Sequence, residues 1–593
     1  MLKPGGSRFL PTSKKEIEAL GWAQADIILF TGDAYVDHPS FGAAVVGRVL
    51  EKAGYKVAIV PQPNWRDDLR DFRKLGEPRL FFAATSGSMD SMVNHYTANK
   101  RLRSDDAYTP GGKSGFRPDY AVKVYSQIIK RFYPSIPLVI GGVEASLRRL
   151  THYDYWEDKL HPSILVDSGA DLLVYGMGEK PIVEIAQRLD NGDKVESITD
   201  IPQTAYLLNK DYIPEKEQIT LNSYEDCLKY PVKFGANFRV IEEESNKISS
   251  NRLVEPFGDK VVIVNPPYPV ATTAEMDSWW DLPYTRAPHP RYKGKPIPAW
   301  DMIKLSVNIH RGCFGGCSFC TISAHQGKFV SSRSEDSIIN EVNKIALDPE
   351  FKGYLSDLGG PSANMYRMQG NDLKICAKCK RPSCIFPKIC NNLQTSHEPL
   401  LKLYKKVREL PHIRKVSIGS GIRYDLFCDW SIESNRSYFE TVLRYHVSGR
   451  LKVAPEHTDD DVLKYMRKPS FKLFEDLKVK FDSINRIHSL NQQIIPYFIS
   501  SHPGCSLENM KSLASKMEKM RIQPEQVQDF TPTPMTLAST IFYTGVDPYT
   551  GKPVFVERTK EGKLKQREHF FWYKKPGKPM ASSRGKYSPN KRR

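Results

Sequence analysis

Ten cysteines are the residues of this 593-residue chain with the most evident capacity for chemistry. Seven of them lie between Cys313 and Cys390, in two groups whose members are separated by two to five residues. The sequence shows no secretory signal and no apolar run of about 18 residues that could span a membrane. We therefore expect a cytosolic, reducing setting, where clustered thiols are more often metal ligands than disulfides.

The first group has the spacing C-x3-C-x2-C and consists of Cys313, Cys317 and Cys320 in the segment HRGCFGGCSFC. A structural zinc site needs four ligands and usually finds the fourth nearby. Three thiolates on one glycine-rich loop instead suit a [4Fe–4S] cluster with one iron left open to an external ligand. Because the loop has little apolar sequence in which to bury structural cysteines, the pattern predicts a reactive cluster.

The second group, Cys376, Cys379, Cys384 and Cys390, lies in the segment CAKCKRPSCIFPKIC. This segment is too polar for a core, and its cationic residues favour the thiolates that metals require. A zinc knuckle and an auxiliary [4Fe–4S] cluster fit the spacing equally well, with His397 as an alternate ligand or an ordinary helix-start residue. Four ligands would saturate either metal, which indicates electron relay or scaffolding.

Two stretches of alternating strand and helix patterns must position these groups. Between residues 303 and 530, six strand candidates alternate with helical patterns, which predicts a partial (βα)6 barrel with its chemistry at the carboxyl ends of the strands. The first 200 residues alternate in the same way, so we expect an α/β chain that begins with a doubly wound parallel sheet. The predicted parts are an amino-terminal domain 1–200, a connecting segment 201–299, the barrel 300–545 with a cysteine-rich insertion 376–390, and an extension 546–593 ending in a disordered basic tail.

These features resemble the radical S-adenosylmethionine superfamily, whose C-x3-C-x2-C signature has an aromatic residue, here Phe319, before the last cysteine. More narrowly, the chain is similar to the YgiQ-type proteins of that superfamily. The resemblance extends to about Gly545 and is carried by HPSFGAAVVGRVLEKAGYKVAIVPQP, GGVEASLRRLTHYDYW, RGCFGGCSFC, APEHT and VQDFTPTP. It implies a [4Fe–4S] cluster on the cysteine triplet, S-adenosylmethionine on the open iron, and one-electron cleavage to a 5′-deoxyadenosyl radical. A one-electron reductant such as flavodoxin or ferredoxin would supply the electron.

The same resemblance implies contacts to S-adenosylmethionine at three strand ends. The turn with Gly359 and Gly360 matches a Gly-Gly-Glu turn of the superfamily, but a proline replaces the acid, so only the glycine backbones carry over. Ser420 would hydrogen-bond the ribose and Arg423 would pair with the carboxylate. Glu456 brings a further carboxylate to the next strand end. Capping of the following helix is the competing interpretation of such polar residues.

The amino-terminal sheet resembles the cobalamin-binding domain that precedes many barrels of this superfamily. Some of those domains carry Asp-x-His-x-x-Gly with a cobalt-binding histidine, whereas Asp37 and His38 are adjacent here. We therefore do not expect His38 to bind cobalt. A domain that binds no corrinoid is favoured over cobalamin bound without a histidine.

Composition and charge narrow the remaining classes of protein. Hydrophobic residues make up 40% and charged residues 26% of the chain, which excludes a collagen-like or wholly disordered protein. Lysine and arginine exceed aspartate and glutamate by 18, and eight of these basic residues lie in the acid-free stretch Lys574 to Arg593. With the aromatic residues 570–573 just before it, this tail could bind RNA by pairing phosphates and stacking bases. A solubilising tail is the favoured interpretation.

The predicted function is therefore a radical S-adenosylmethionine enzyme whose substrate the sequence does not identify. Methyl or methylthio transfer onto RNA competes with modification of a small molecule or a protein side chain. The alternative from another class is a non-catalytic iron–sulfur or zinc protein that binds nucleic acid through its basic tail.

Overall fold

A computed structural model describes residues 8–211 and 218–574. Within them, a nine-stranded sheet is followed by a set of short parallel strands with helices between them. The α/β class expected from the alternating patterns is confirmed. No described helix is both long enough and apolar enough to cross a membrane.

The amino-terminal part of the chain forms the nine-stranded sheet. Its strands are β1 Ile27–Thr31, β2 Val57–Pro61, β3 Phe81–Thr85, β4 Leu138–Gly141, β5 Leu172–Val174, β6 Thr204–Asn209, β7 Gln218–Thr220, β8 Arg252–Phe257 and β9 Lys260–Val264. Their spatial order is β7-β8-β9-β6-β5-β4-β3-β1-β2. Strands β1 to β5 pair in parallel, whereas β6 and β9 run antiparallel to their neighbours.

Helices cover both faces of the parallel strands, which confirms the doubly wound arrangement. Helices Gly42–Lys52 and Glu179–Asp190 pack together on one face, where Leu50 and Ile185 are fully buried. Helix Ala121–Phe132 covers the opposite face. Because both faces are covered, the parallel strands are near-continuous apolar runs rather than alternating ones.

Part of the predicted connecting segment 201–299 belongs to this sheet. Strands β6 to β9 all come from that segment, so the sheet extends to Val264 instead of ending near residue 200. A turn at Gly258, which has φ +55°, joins β8 to β9 as a hairpin. Antiparallel strands need no helix between them, so a search for strand–helix alternation does not detect this hairpin.

Six parallel strand segments follow in the order predicted for the barrel, the second of them interrupted at one residue. They are β10 Ser306–Asn308, β11 Tyr354–Leu355 continuing as β12 Asp357–Gly359, β13 Lys415–Val416, β14 Arg450–Glu456, β15 Gln493–Ser500 and β16 Gln526–Asp529. The parallel pairs are β10–β12, β11–β13, β14–β15 and β15–β16. The partial barrel is therefore confirmed.

Amphipathic helices between these strands form the outer layer of the barrel. They are Glu335–Ala346, Glu398–Arg408, Glu433–Thr441, Asp460–Met466, Lys472–Ile487 and Leu507–Lys519. Their buried residues, including Leu403, Tyr438 and Leu477, join the strands in one core.

The carboxyl-terminal extension completes this core. Helix Lys560–Glu568 is followed by the turn His569–Lys574, in which Phe570 is fully buried and Phe571 and Trp572 pack against the core. Because its ring is fully buried, Phe570 is not available to stack on nucleic-acid bases, as the RNA-binding interpretation of the tail required. Of the basic residues in the predicted disordered tail, only Lys574 is among the described residues. The rest lie within 575–593, outside the part of the chain that the structure describes.

Candidate functional site

The loop that carries the cysteine triplet follows β10 and is held by main-chain hydrogen bonds to distant segments. The Cys313 N–H donates to the Gly327 carbonyl and the Ser318 N–H to the Met466 carbonyl, both at 3.2 Å. The Ala538 N–H donates to the Ser318 carbonyl at 2.9 Å. Because Met466 and Ala538 lie far along the chain, the loop takes this shape only in the complete fold.

Two glycines allow this loop to approach its neighbours closely. Gly312 has φ +84°, and a Cβ atom there would lie 2.0 Å from the carbonyl oxygen of Phe329. Gly316 has φ +60°, and a Cβ atom there would lie 2.2 Å from the carbonyl oxygen of Pro382. Only glycine fits both positions without movement of the backbone.

The three cysteines of the loop are free and partly exposed. Nη1 of Arg423 donates to Sγ of Cys317 at 3.1 Å, and Sγ of Cys313 lies 3.6 Å from Oγ of Ser362. Desolvation raises the pKa of Cys313, against the opposing charge of Arg423. Desolvation, together with Cys317, raises the pKa of Cys320 to about 12. These two thiols are therefore protonated at neutral pH, and a metal would displace their protons on binding.

The three thiols of the triplet are a donor set that is compatible with a [4Fe–4S] cluster. Within the described part of the chain, no group of three or more His, Cys, Asp and Glu side chains is arranged to hold a single metal ion. A cubane places its irons at separate corners, so three thiolates on one loop need not converge. The Arg423 guanidinium also places positive charge beside the Cys317 sulfur, one of the three candidate ligands.

A buried serine–histidine pair supports the loop from the barrel side, and the sequence analysis missed it. Oγ of Ser318 lies 3.1 Å from Nε2 of His502, and Nδ1 of His502 lies 2.8 Å from the Pro503 carbonyl. A carbonyl only accepts, so Nδ1 carries the proton and Nε2 accepts from the serine hydroxyl. Desolvation lowers the pKa of His502 to about 3, so the ring is neutral. The segment HPGCS at a strand end was the only signal available.

The predicted glycines lie at the carboxyl end of β12, with Gly359 as its last residue and Gly360 directly after it, next to Ser420 and His310. A Cβ atom on Gly360 would lie 2.5 Å from the His310 ring, and one on Gly359 would lie 2.9 Å from Oγ of Ser420. The Ser420 hydroxyl donates to Asp357, which also accepts from the Ser420 N–H at 3.2 Å. The hydroxyl proton of Ser420 is therefore engaged, and its lone pairs remain for a ligand.

Arg423, predicted to pair with the carboxylate of S-adenosylmethionine, pairs with Asp425 in this structure. Nε of Arg423 lies 3.0 Å from Oδ1 of Asp425. Desolvation opposes ionisation of Asp425, but the guanidinium outweighs it and lowers the pKa of Asp425. Arg423 thus joins a buried acid to the Cys317 sulfur.

Two further predicted residues lie beside the triplet. Glu456, at the end of β14, has φ +68° and lies 3.6 Å from Nζ of Lys468. Desolvation raises the pKa of Glu456, and the charges of Lys468 and Arg423 oppose this rise. The ring of Phe319 meets His502 edge-on, with ring centroids 5.8 Å apart. The fold therefore brings these residues into the surroundings of one loop.

The second cysteine group packs directly against the triplet loop. The Cys384 N–H donates to the Phe314 carbonyl at 3.0 Å. His397 lies elsewhere, with Nε2 accepting from Asn364 at 3.1 Å and its ring stacked on Tyr438. It immediately precedes helix Glu398–Arg408, so its interpretation as a helix-start residue is confirmed.

A cavity of about 310 Å³ lies at the carboxyl ends of the parallel strands, next to the triplet loop. Gly141 lines it from the end of β4, Glu179 from the first turn of helix Glu179–Asp190 and Arg311 from the start of the triplet loop. Arg311 pairs with Glu179. His38 does not line this cavity. It is buried, and its Nδ1 accepts from the Ser40 N–H at 3.1 Å.

Comparison of the chain with models of protein families identifies a class of protein that agrees with this fold and this site. Residues 9–306 match the family model described as Radical SAM N-terminal, a span that contains the whole nine-stranded sheet and reaches β10. The class is therefore that of the radical S-adenosylmethionine proteins.

Relatives along nearly the whole chain define the group more narrowly. The chain is 61% identical to a UPF0313 protein of Bacteroides thetaiotaomicron, covering 95% of this chain and 94% of that protein. A UPF0313 protein of Porphyromonas gingivalis is 59% identical, and the match covers 96% of this chain and 90% of that protein. A UPF0313 protein of Methanocella arvoryzae is 47% identical, and the match covers 95% of this chain and 93% of that protein. The chain belongs to the UPF0313 family.

Solved structures show a more distant likeness. The radical S-adenosylmethionine methyltransferase TsrM from Kitasatospora setae, with cobalamin and a [4Fe–4S] cluster bound, has a TM-score of 0.46 and 14% identity, covering 87% of this chain and 77% of that chain. The cobalamin-dependent enzyme OxsB has a TM-score of 0.44 and 12% identity, and the match covers 90% of this chain and 57% of OxsB. Likeness at this level does not extend to bound groups or substrates.

Proposed function

We propose that this chain is a radical S-adenosylmethionine enzyme in which Cys313, Cys317 and Cys320 hold a [4Fe–4S] cluster. The observation that carries the proposal is the triplet loop itself, with three thiols on a loop that distant barrel segments hold in place. Membership of the radical S-adenosylmethionine family supports the same conclusion. When bound, the cluster and S-adenosylmethionine would supply one-electron cleavage to methionine and a 5′-deoxyadenosyl radical.

The residues around the triplet would bind and orient the S-adenosylmethionine. Gly359 and Gly360 present a main chain without side chains, as a close ligand contact requires. Ser420 offers acceptor lone pairs to a ribose hydroxyl, because its proton is engaged by Asp357. Arg423 brings a buried positive charge for a carboxylate, and Glu456 an acceptor for an amino group.

Several side chains would keep water away from the reacting atoms. Phe319 and His502 close the barrel side of the loop, and the Arg311–Glu179 pair closes the side facing the amino-terminal sheet. Exclusion of water matters because a carbon radical is otherwise quenched by side reactions. The electron itself would come from a one-electron reductant such as flavodoxin or ferredoxin.

Product analysis after anaerobic reconstitution tests the proposed function. The wild type should convert S-adenosylmethionine to 5′-deoxyadenosine and methionine under reducing conditions, and S-adenosylhomocysteine would indicate methyl transfer. Replacement of the three triplet cysteines by alanine should abolish both iron binding at this site and cleavage. Cys227→Ala is the matched control, since that thiol is buried in a separate cluster with Phe234 and Phe542. Cleavage by the triple variant would disprove the proposal.

The alternative, a nucleic-acid-binding iron–sulfur or zinc protein, predicts salt-sensitive binding of RNA through the tail Lys574 to Arg593. Filter binding of bulk transfer RNA by the full chain and by a chain without that tail, at two salt concentrations, distinguishes the two functions. Tight binding that is lost on truncation, without cleavage activity, would favour the alternative. The buried Phe570 removes one of the side chains on which that alternative relied.

A further inference from the structure

Lys328 is a buried cation without a carboxylate partner among the described residues. Only 2% of its surface is exposed. Its Nζ donates to the Arg381 carbonyl at 2.7 Å and to Sγ of Cys379 at 3.7 Å. Burial of an ammonium group is costly unless an opposite charge lies nearby. A source of negative charge beside Lys328 would offset this cost.

The groups around Lys328 that can become anions are the thiols of the second cysteine group. Desolvation raises the pKa of Cys376 and of Cys384, and the positive charge of Lys328 opposes this rise. The neighbouring Cys379 and Cys390 raise the pKa of both thiols further. Four thiols thus share one small region with one buried cation. Deprotonation on binding a metal would convert them into the anions that Lys328 lacks.

The first half of this cysteine segment has little packing to hold it together. Leu373 and Ile375 are 51% and 58% exposed, whereas Ile385, in the second half, is buried in a small cluster with Phe314 and Met365. Short turns add to this packing, with the Cys379 N–H donating to the Cys376 carbonyl at 3.2 Å and the Cys390 N–H to the Cys384 carbonyl at 2.8 Å. Small segments with so small a core commonly depend on a metal or a disulfide, and all ten cysteines are free here.

We propose that Cys376, Cys379, Cys384 and Cys390 ligate a second iron–sulfur cluster, with Lys328 as its buried counter-charge. Assembly would release the four thiol protons and form four bonds from iron to the cysteine sulfurs. The core itself would take two ferrous ions, two ferric ions and four sulfide ions supplied from outside, so that no further oxidant is needed. Zinc on the same four thiols is the competing occupant, and the metal analysis below distinguishes the two. This inference goes beyond the proposed function and does not depend on the triplet.

Metal analysis of full-length protein, reconstituted anaerobically with iron and sulfide, tests the second cluster. We expect about eight irons per chain in the wild type and about four in each of two variants, one lacking the triplet and one with the four second-group cysteines replaced by alanine. The control Cys227→Ala with Cys428→Ala, both buried thiols of other regions, should keep the wild-type content. Wild-type iron in the four-cysteine variant, or zinc in place of the extra iron, would overturn the proposal.

The results separate this proposal from the proposed function. Loss of iron only on removal of the triplet refutes the second cluster alone. Loss of iron only on removal of the second group refutes the triplet cluster alone.

Lys328 provides a test that leaves every cysteine in place, so it remains informative if the four-cysteine variant does not fold. In the background that lacks the triplet, Lys328→Gln should make the second cluster harder to reduce. We expect about a tenfold change in the ratio of reduced to oxidised cluster at a fixed potential, or about 59 mV for one electron. Lys328→Arg keeps the positive charge, so its reduction potential should lie close to that of the parent protein. The control is Lys380→Gln, since that lysine is exposed and pairs with Glu243. Equal potentials for Lys328→Gln and the parent protein would contradict the counter-charge.

Discussion

The guanidinium of Arg423 links the carboxylate of Asp425 to the sulfur of Cys317. Its Nη1 lies 3.1 Å from Sγ of Cys317, while Nε lies 3.0 Å from Oδ1 of Asp425. The side chains of Arg423 and Asp425 are only 10% and 9% exposed. A hydrogen bond to a ligand sulfur stabilises electron density on it, and such bonds tune iron–sulfur potentials.

Replacement of Arg423 should therefore lower the reduction potential of a cluster on the triplet. Arg423→Gln removes the positive charge beside Cys317, so the reduced cluster loses stabilisation. We expect a shift of roughly 60 mV to more negative potential, the one-electron equivalent of about 1.4 kcal/mol. A redox titration followed by electron paramagnetic resonance measures it. Asp425→Asn is the matched variant and should shift the potential the other way, because Arg423 then loses its compensating anion. Shifts of the same sign would contradict the linkage.

Ser318→Ala should loosen the triplet loop. The substitution leaves Nε2 of the buried His502 without a partner, at a cost of about 1–3 kcal/mol. The expected result is a lower unfolding midpoint and faster loss of iron to a chelator. Ser323→Ala, in the half-exposed helix after the loop, is the control and should behave as wild type.

The effects of Ser318→Ala and His502→Ala should not add. Residues that share one hydrogen bond typically couple by about 0.5–3 kcal/mol in a double-mutant cycle. Full additivity would show that the two side chains support the loop independently.

Gly360→Ala should destabilise the barrel because the new methyl group meets the His310 ring. The contact would be 2.5 Å, which the buried ring cannot relieve without moving. Overpacking of this kind costs about 1–3 kcal/mol. Gly421→Ala is the control, since no atom lies within 4 Å of a Cβ atom at that position. Guanidinium-induced unfolding of both variants measures the difference, and the double variant Gly360→Ala with His310→Ala should recover part of it.

Phe570→Ala should destabilise the barrel strongly, because the ring is fully buried in the barrel core. Removal of a buried phenylalanine ring costs about 3–5 kcal/mol. The control Phe555→Ala concerns a ring that is 52% exposed, and a change within about 0.5 kcal/mol is expected. Chemical unfolding of both variants tests this. Equal stability of the two would mean that the extension is not part of the core.

Stability should fall as pH decreases from 6.5 towards 4, and His446 should contribute. Desolvation lowers the pKa of His446 to about 4, whereas the unfolded chain has the ordinary value near 6.5. Between these values the unfolded state binds more protons, so the free energy of unfolding rises with pH there by at most about 1.4 kcal/mol per unit. His446→Gln should reduce this slope relative to wild type. Urea unfolding at several pH values measures it, and identical slopes would contradict the lowered pKa.

Short-range patterns were sufficient for much of the architecture. Hydrophobic periodicity specifies a strand or a helix over a few residues, and the six barrel strands and the parallel part of the sheet were predicted from it. The hairpin β8–β9 was missed because antiparallel pairing leaves no helix between its strands. The burial of Phe570 was also missed, since a basic composition after it does not reveal what the ring contacts.

The sequence by itself determined the two cysteine groups and their spacing, because those features are local and covalent. Only the tertiary structure decided which groups surround them. Arg423 beside Cys317, His502 beside Ser318 and Lys328 beside Cys379 are contacts between residues 51 to 184 positions apart. No local pattern encodes such contacts, because they arise only when the barrel folds and brings its strand ends and the loops after them to one side of the molecule.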